Sequence, residues 1–105
     1  EKLYRDVFTG VDLILSPTLS HTTPEIGYLD PGVEFEEAFD RLVKYVAFTP
    51  INNATGGPAI SLPVGQSDIG LPIAVHFSAD HGRERTLLEI ACELEAAMGF
   101  ARIQD

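Results

Sequence analysis

Basic residues are scarce in this sequence. Seven Lys and Arg stand against sixteen Asp and Glu among 105 residues, which gives a formal net charge of −9 at pH 7. Nucleic acids and anionic membrane surfaces bind to basic faces, so this charge balance argues against both. The sequence therefore predicts a protein with no nucleic acid and no membrane among its partners.

The sequence also lacks a second cysteine and any long apolar run. Because Cys92 stands alone, an intramolecular disulfide and a cysteine-based zinc cluster are excluded, and we expect a cytoplasmic location. No apolar run approaches the roughly eighteen residues that a membrane helix needs. The composition, 45% hydrophobic and 22% charged, predicts one soluble globular unit over 1–105. The first residue is Glu1 instead of Met, so we expect a piece of a longer protein.

Apolar periodicity and chain-breaking residues predict about three helices and three strands. The helices are expected over 1–9, 33–47 and 80–98, and the strands over 12–16, 59–63 and 72–78. The short polar connection at 65–70 favours antiparallel pairing of the last two strands. Residues 17–32 are predicted to be irregular and residues 52–58 to form turns. This order of elements predicts an α/β fold.

Two of the predicted helices carry apolar stripes. In helix 33–47 we expect Phe39 and Leu42 to face the core, and Pro50 to end the helix. The last helix is expected to begin near Asp80 and to end at Gly99, with an inward face formed by Leu87, Leu88, Ala91, Leu94 and Met98. Three helices cover only part of strands that are apolar on both faces. We therefore expect neighbouring strands outside this chain, and association into a homo-oligomer.

The positions of the histidines, serines and cysteine match no known pattern of catalytic or metal-binding residues. The three histidines, His21, His76 and His81, stand at no ligand spacing from one another, so we predict no metal ion and no other cofactor. None of the serines lies in a Gly-x-Ser-x-Gly elbow, and no neighbour of Cys92 would activate its thiol. We assign no catalytic residue.

Four segments, in order, resemble the amidase signature family. Residues 50–65 have the sequence Pro-Ile-Asn-Asn-Ala-Thr-Gly-Gly-Pro-Ala-Ile-Ser-Leu-Pro-Val-Gly, and residues 70–75 have Gly-Leu-Pro-Ile-Ala-Val. Residues 12–18 resemble the strand end of that family, Asp-(aliphatic)-(aliphatic)-Leu-x-Pro-Thr, and residues 84–95 resemble its closing helix. Ala74 departs from the family pattern, which commonly has glycine there. The likeness covers nearly the whole chain.

The resemblance implies the C-terminal portion of a mixed-sheet α/β/α fold. It implies a parent enzyme that hydrolyses carboxamides, small-molecule amides, to an acid and ammonia or an amine. Its Ser-cis-Ser-Lys triad would lie in a Gly/Ser-rich segment upstream, since this sequence has no Gly-Gly-Ser-Ser or Gly-Ser-Ser-Gly stretch and its two lysines, Lys2 and Lys44, have no serine pair to serve. The isolated chain is therefore expected to be inactive and to supply sheet core and pocket wall.

Three residues are candidates for binding substrate. Thr18 follows the end of a strand, where ligand crevices of open α/β sheets form. Asn53 and Thr55 lie in the turn-rich passage, where their side chains either fix the loop or contact substrate. Two other interpretations stay open at this point: the amidase-like component of a tRNA-dependent amidotransferase, and a non-enzymatic interaction domain with the same fold.

Overall fold

The computed structural model describes residues 1–102, which form helices and a small sheet. In chain order the elements are α1 (Lys2–Val7), β1 (Ile14–Pro17), α2 (Phe35–Tyr45), α3 (Pro50–Thr55), β2 (Ala59–Gln66), β3 (Pro72–Ser78) and α4 (Glu84–Met98). The predicted α/β class and the antiparallel pairing of β2 with β3 are confirmed. Within the described residues, no helix has both the length and the apolar character needed to cross a membrane.

The sheet has the strand order β1-β3-β2, and both strand pairs are antiparallel. Ser16 on β1 and Ser61 on β2 both stand opposite His76 of the central strand. The pairing of β2 with β3 is irregular between Pro63 and Gly65. Proline has no backbone N–H to donate, so its place in β2 suits a strand at the edge of this sheet.

A fourth helix stands where the sequence predicts turns. Residues 52–55 belong to α3, so the turn prediction is wrong for them, and Pro50 opens this helix. Proline suits the first position of a helix because that N–H would lack an intrahelical partner in any case. The helix ends at Gly56, whose φ of 71° is the left-handed conformation that glycine adopts without steric cost.

The ends of α2 and α4 follow local hydrogen bonding. The carboxylate of Glu34 accepts a hydrogen bond from the backbone N–H of Glu37 and caps α2. Helix α4 begins at Glu84 and not near Asp80 as predicted, because residues 80–83 form a turn closed by the N–H of Arg83 on the Asp80 carbonyl. Its predicted end at Gly99 is confirmed.

The core lies where α4 packs on β2 and where α1 meets the end of β3. Leu62, Leu87, Tyr4 and Ala79 are its buried apolar side chains. The prediction that α2 faces the core is wrong: Phe39 is 57% exposed and Leu42 is 42% exposed. Leu88 and Met98, predicted to lie on the inward face of α4, are exposed as well. Few of the chain's large apolar side chains are buried by other parts of the chain.

The chain is also less compact than an independent domain of its size. Its accessible surface is 7590 Å², whereas a compact monomer of 11.4 kDa exposes about 5,800 Å². Its radius of gyration is 15.9 Å, against about 13 Å for a compact chain of this length. Exposed apolar side chains, such as Phe35 and Phe39 on α2, contribute to this area, and they are the kind of surface that packs against other protein.

Candidate functional site: a polar row and a pocket at the end of the sheet

A row of polar side chains crosses one face of the sheet. Ser16, His76 and Ser61 are aligned on three adjacent strands, so their side chains project from the same face. The hydroxyl oxygen of Ser16 lies 3.5 Å from Nδ1 of His76 and donates to the carbonyl of Pro17 at 3.1 Å. His76 is only 6% exposed, and burial lowers the pKa of its imidazole. A serine at this distance from a weakened base is not an activated nucleophile.

A second polar contact spans the same face from β1 to β2. The hydroxyls of Thr18 and Ser61 lie 2.7 Å apart, although β3 runs between their strands. The N–H of Thr18 donates to the carbonyl of Ala74, whereas Ser61 stands opposite His76 on the same strand. The contact therefore joins the start of the loop after β1 to the far edge strand.

Beside this contact, the loop after β1 and the start of β3 enclose a pocket of about 380 Å³. Most of its wall is apolar, and its polar groups are hydroxyls and one imidazole. It is lined by Pro17, Thr18, Leu19, Ser20, His21, Thr22, Thr23, Pro72, Ile73 and Ala74. No Lys, Arg, Asp or Glu is among these residues, so the pocket suits an uncharged group.

The end of α2 holds the far side of the pocket loop. The N–H of Ser20 donates to the Tyr45 carbonyl at 3.1 Å, and the Ser20 hydroxyl donates to the carbonyl of Lys44. The ring of His21 lies against the ring of Tyr45, with centroids 4.6 Å apart. These contacts satisfy carbonyl groups that the end of a helix leaves unpaired.

The other two predicted site residues lie on α3. Asn53 is exposed, whereas the Thr55 hydroxyl donates to the Ile51 carbonyl at 2.8 Å and its own carbonyl lies 2.9 Å from Nε2 of His81. Neither residue lines the pocket that contains Thr18. A substrate contact by Thr18, Asn53 or Thr55 stays a prediction.

Sequence reasoning missed Asn52, whose side chain ties three elements together. Its amide nitrogen donates to the Tyr4 hydroxyl at 3.2 Å and to the Gly57 carbonyl at 3.1 Å, and its amide oxygen accepts from Ser78 at 3.1 Å. The Tyr4 hydroxyl in turn donates to the carbonyl of Ala79 at 3.0 Å. Burial raises the pKa of Tyr4. The sequence Asn52-Asn53 predicts polar residues in a turn, but only the structure shows that Asn52 forms these hydrogen bonds and that Asn53 is exposed.

Similarity to known proteins extends over most of this structure. A family model described as Amidase matches residues 1–88. The chain belongs to the amidase family. The resemblance of the four sequence segments is thereby confirmed, and the matched range includes the polar row, the pocket and α3.

Three relatives show the range of proteins that contain a segment like this one. A Mycobacterium leprae protein named "Putative amidase AmiC" is 52% identical over 99 residues, covering 94% of this chain and 21% of the relative. The solved structure of a 6-aminohexanoate cyclic dimer hydrolase matches with a TM-score of 0.82 at 42% identity, covering 94% of this chain and 22% of that one. A glutamyl-tRNA(Gln) amidotransferase component from Aliarcobacter butzleri is 34% identical, covering 94% of this chain and 20% of the relative. The chain thus spans about a fifth of the length of these relatives.

Proposed function

We propose that this chain is part of an enzyme that hydrolyses carboxamides to an acid and ammonia or an amine, and that it supplies sheet core and one wall of the substrate pocket. The pocket between the loop after β1 and the start of β3 carries the proposal. Its apolar wall fits the hydrocarbon part of an amide, and its hydroxyl groups fit the polar part. Membership of the amidase family supports the reaction class.

The nucleophile and base are proposed to lie in a part of the enzyme outside these residues. The hydroxyl oxygen of Ser16 lies 3.5 Å from Nδ1 of His76, but this hydroxyl is already directed to the Pro17 carbonyl. Both lysines lie in helices: Lys2 in α1, and Lys44 in α2, where its ammonium donates to Asp40 at 2.6 Å. Neither arrangement activates a serine for attack on an amide.

The experiment compares the intact protein that carries this sequence with the isolated 105-residue chain. Release of ammonia or amine is measured with acetamide, hexanamide and the cyclic dimer of 6-aminohexanoate. We expect turnover by the intact protein and none by the isolated chain. Absence of turnover in the intact protein, or serine-dependent turnover by the isolated chain, would contradict the proposal.

A matched pair of substitutions tests the pocket. Ile73 lines the pocket, whereas Ile69 lies in the β2–β3 connection away from it. Ile73→Trp in the intact protein is expected to raise KM for hexanamide more than KM for acetamide, because the indole fills space needed by the longer chain. Ile69→Trp, the same change outside the pocket, is expected to leave both values unaltered. Equal effects of the two variants would remove the pocket from the proposal.

A second candidate is the amidase component of a tRNA-dependent amidotransferase, which the Aliarcobacter relative supports at lower identity. In that function the released ammonia is passed onward, and an amide donor such as glutamine carries a charged amino group and a charged carboxylate. The uncharged pocket lining favours simple amides over glutamine. Ammonia release by the intact protein from glutamine, but not from hexanamide, would reverse this order.

A further inference from the structure

Ser61 lies outside the pocket lining but contacts Thr18, which is part of it. We infer that Ser61 is a positioning residue: its hydrogen bond to Thr18 fixes the loop over residues 18–23 that forms one pocket wall. Only the expected effect on KM rests on the proposed function. The contact itself is a property of the fold.

The loop needs such a fixation because the backbone holds it weakly at this point. Pro17, the last residue of β1, has no N–H to donate. The following N–H, that of Thr18, reaches the Ala74 carbonyl only at 3.4 Å, which is long for a backbone hydrogen bond. The hydroxyl contact at 2.7 Å is at the optimum for two oxygen atoms. At the end of β1, this exposed side-chain contact therefore adds to a single long backbone bond.

Ala74 lies beside the Thr18 end of this contact. The N–H of Thr18 donates to the carbonyl of Ala74, and Ala74 also lines the pocket. Ser61 stands opposite His76, two residues further along β3. The contact therefore crosses β3 diagonally and joins the two outer strands of the sheet.

The loop is anchored again two residues later. Ser20 is bonded to the end of α2 through its N–H and its hydroxyl. Thr18 and Ser20 are therefore the two fixed ends of a short span whose middle residue, Leu19, lines the pocket. Loss of the Thr18–Ser61 bond frees one end of this span and leaves the other in place.

A direct contact between the Thr18 hydroxyl and substrate makes a different prediction. In that case Thr18→Val weakens substrate binding, but Ser61→Ala does not, since Ser61 lies outside the pocket. If Ser61 acts through Thr18, the two substitutions have the same effect. The double variant is then no worse than either single variant, because each removes the same bond.

The test measures kcat and KM for hexanamide in the intact protein with Thr18→Val, Ser61→Ala and the double variant. One hydrogen bond changes an equilibrium by about 2- to 12-fold, so we expect each variant to raise KM by that factor with kcat within about twofold. Thr18→Ser keeps the hydroxyl group, so its KM is expected to equal that of the wild-type protein. Thr9→Val is the matched control, since Thr9 is exposed and donates to Asp6 far from the pocket.

An unchanged KM in Ser61→Ala, or a double variant in which the two single effects multiply, would overturn the inference. Hydrogen exchange of the amides of residues 18–23 provides a readout that does not depend on activity. Both single variants are expected to exchange faster there than the wild-type protein, and Thr9→Val is not. If the wild-type protein hydrolyses no amide, the proposed function fails, while the exchange rates still decide the role of Ser61.

Discussion

Two regions of the chain differ in how far the rest of the chain buries them. One is the junction of α1, α3 and β3, formed by Tyr4, Asn52 and Ser78, and the other is the apolar face of α2. At the junction, Tyr4 is 6% exposed and its hydroxyl, Asn52 and Ser78 form a continuous set of hydrogen bonds. On α2, Phe35, Phe39 and Leu42 are exposed beside Leu29, around a shallow cleft of about 190 Å³. The junction is buried within this chain, whereas the described residues leave the apolar face of α2 largely exposed.

The comparison separates two kinds of information in the sequence. Helical periodicity shows which face of a helix is apolar, and α2 has that pattern clearly. It does not show which protein segment covers the face. The junction has no such pattern, since it is built from polar atoms whose partners are 26 to 75 residues apart in the chain. Because this chain spans about a fifth of the length of its relatives, we propose that the missing cover belongs to the same amidase.

The largest expected effect is on the stability of the junction. Tyr4→Ala in the 105-residue chain is expected to lower the free energy of unfolding by about 3–5 kcal/mol, because it removes a buried ring and its hydrogen bonds. Phe39→Ala, the matched loss of a ring on α2, is expected to cost less than about 1 kcal/mol. Urea denaturation of the two variants measures both values. Equal costs would mean that the two regions do not differ in the way that we describe.

A smaller effect distinguishes two adjacent asparagines. Asn52→Ala leaves buried polar groups of Gly57 and Ser78 without their partner and is expected to cost about 1–3 kcal/mol. Asn53 is exposed, so Asn53→Ala is expected to stay within about 0.5 kcal/mol of the wild type. Both are measured by the same denaturation. A similar cost for the two variants would show that the hydrogen bonds of Asn52 do not stabilise the junction.

The apolar face of α2 is expected to mediate self-association of the isolated chain. The net charge of −9 opposes contact between copies, so association should strengthen as salt screens the repulsion. Phe39→Glu places a charge in the apolar face and is expected to shift the population to monomer. Sedimentation across protein and salt concentration measures this. A strictly monomeric wild-type chain at high protein concentration and moderate salt would contradict the expected homo-oligomer.

Sequence reasoning reached the α/β class, the strands, the hairpin and the Gly99 helix end because each depends on local patterns. It failed for α3, where Asn and Gly favour turns but Pro50 and the left-handed Gly56 also frame one short helix. It could not find Ser61 as the partner of Thr18, since that pair depends on the order of the strands in the sheet. The candidate site was thus predictable as a location, at the end of β1, and not as a set of contacts.

The smallest expected effect concerns pH and the polar row. Burial lowers the pKa of His76, so between the unfolded value near 6.5 and the lower folded value the unfolded chain binds a proton that the folded chain does not. The stabilisation from His76 is therefore complete above about pH 6.5 and is lost as the pH falls through the folded pKa. Carboxyl groups titrate near pH 4, so the window from about pH 5 to 7 separates the histidines from them.

His76→Gln is expected to flatten the pH dependence of the urea midpoint between about pH 5 and 7, because glutamine does not titrate. His21→Gln is the matched control: His21 is exposed on the pocket loop, and the slope is expected to remain in this variant. A slope that persists in His76→Gln would assign the pH dependence to another group and would mean that burial of His76 does not control the stability of the sheet in this range.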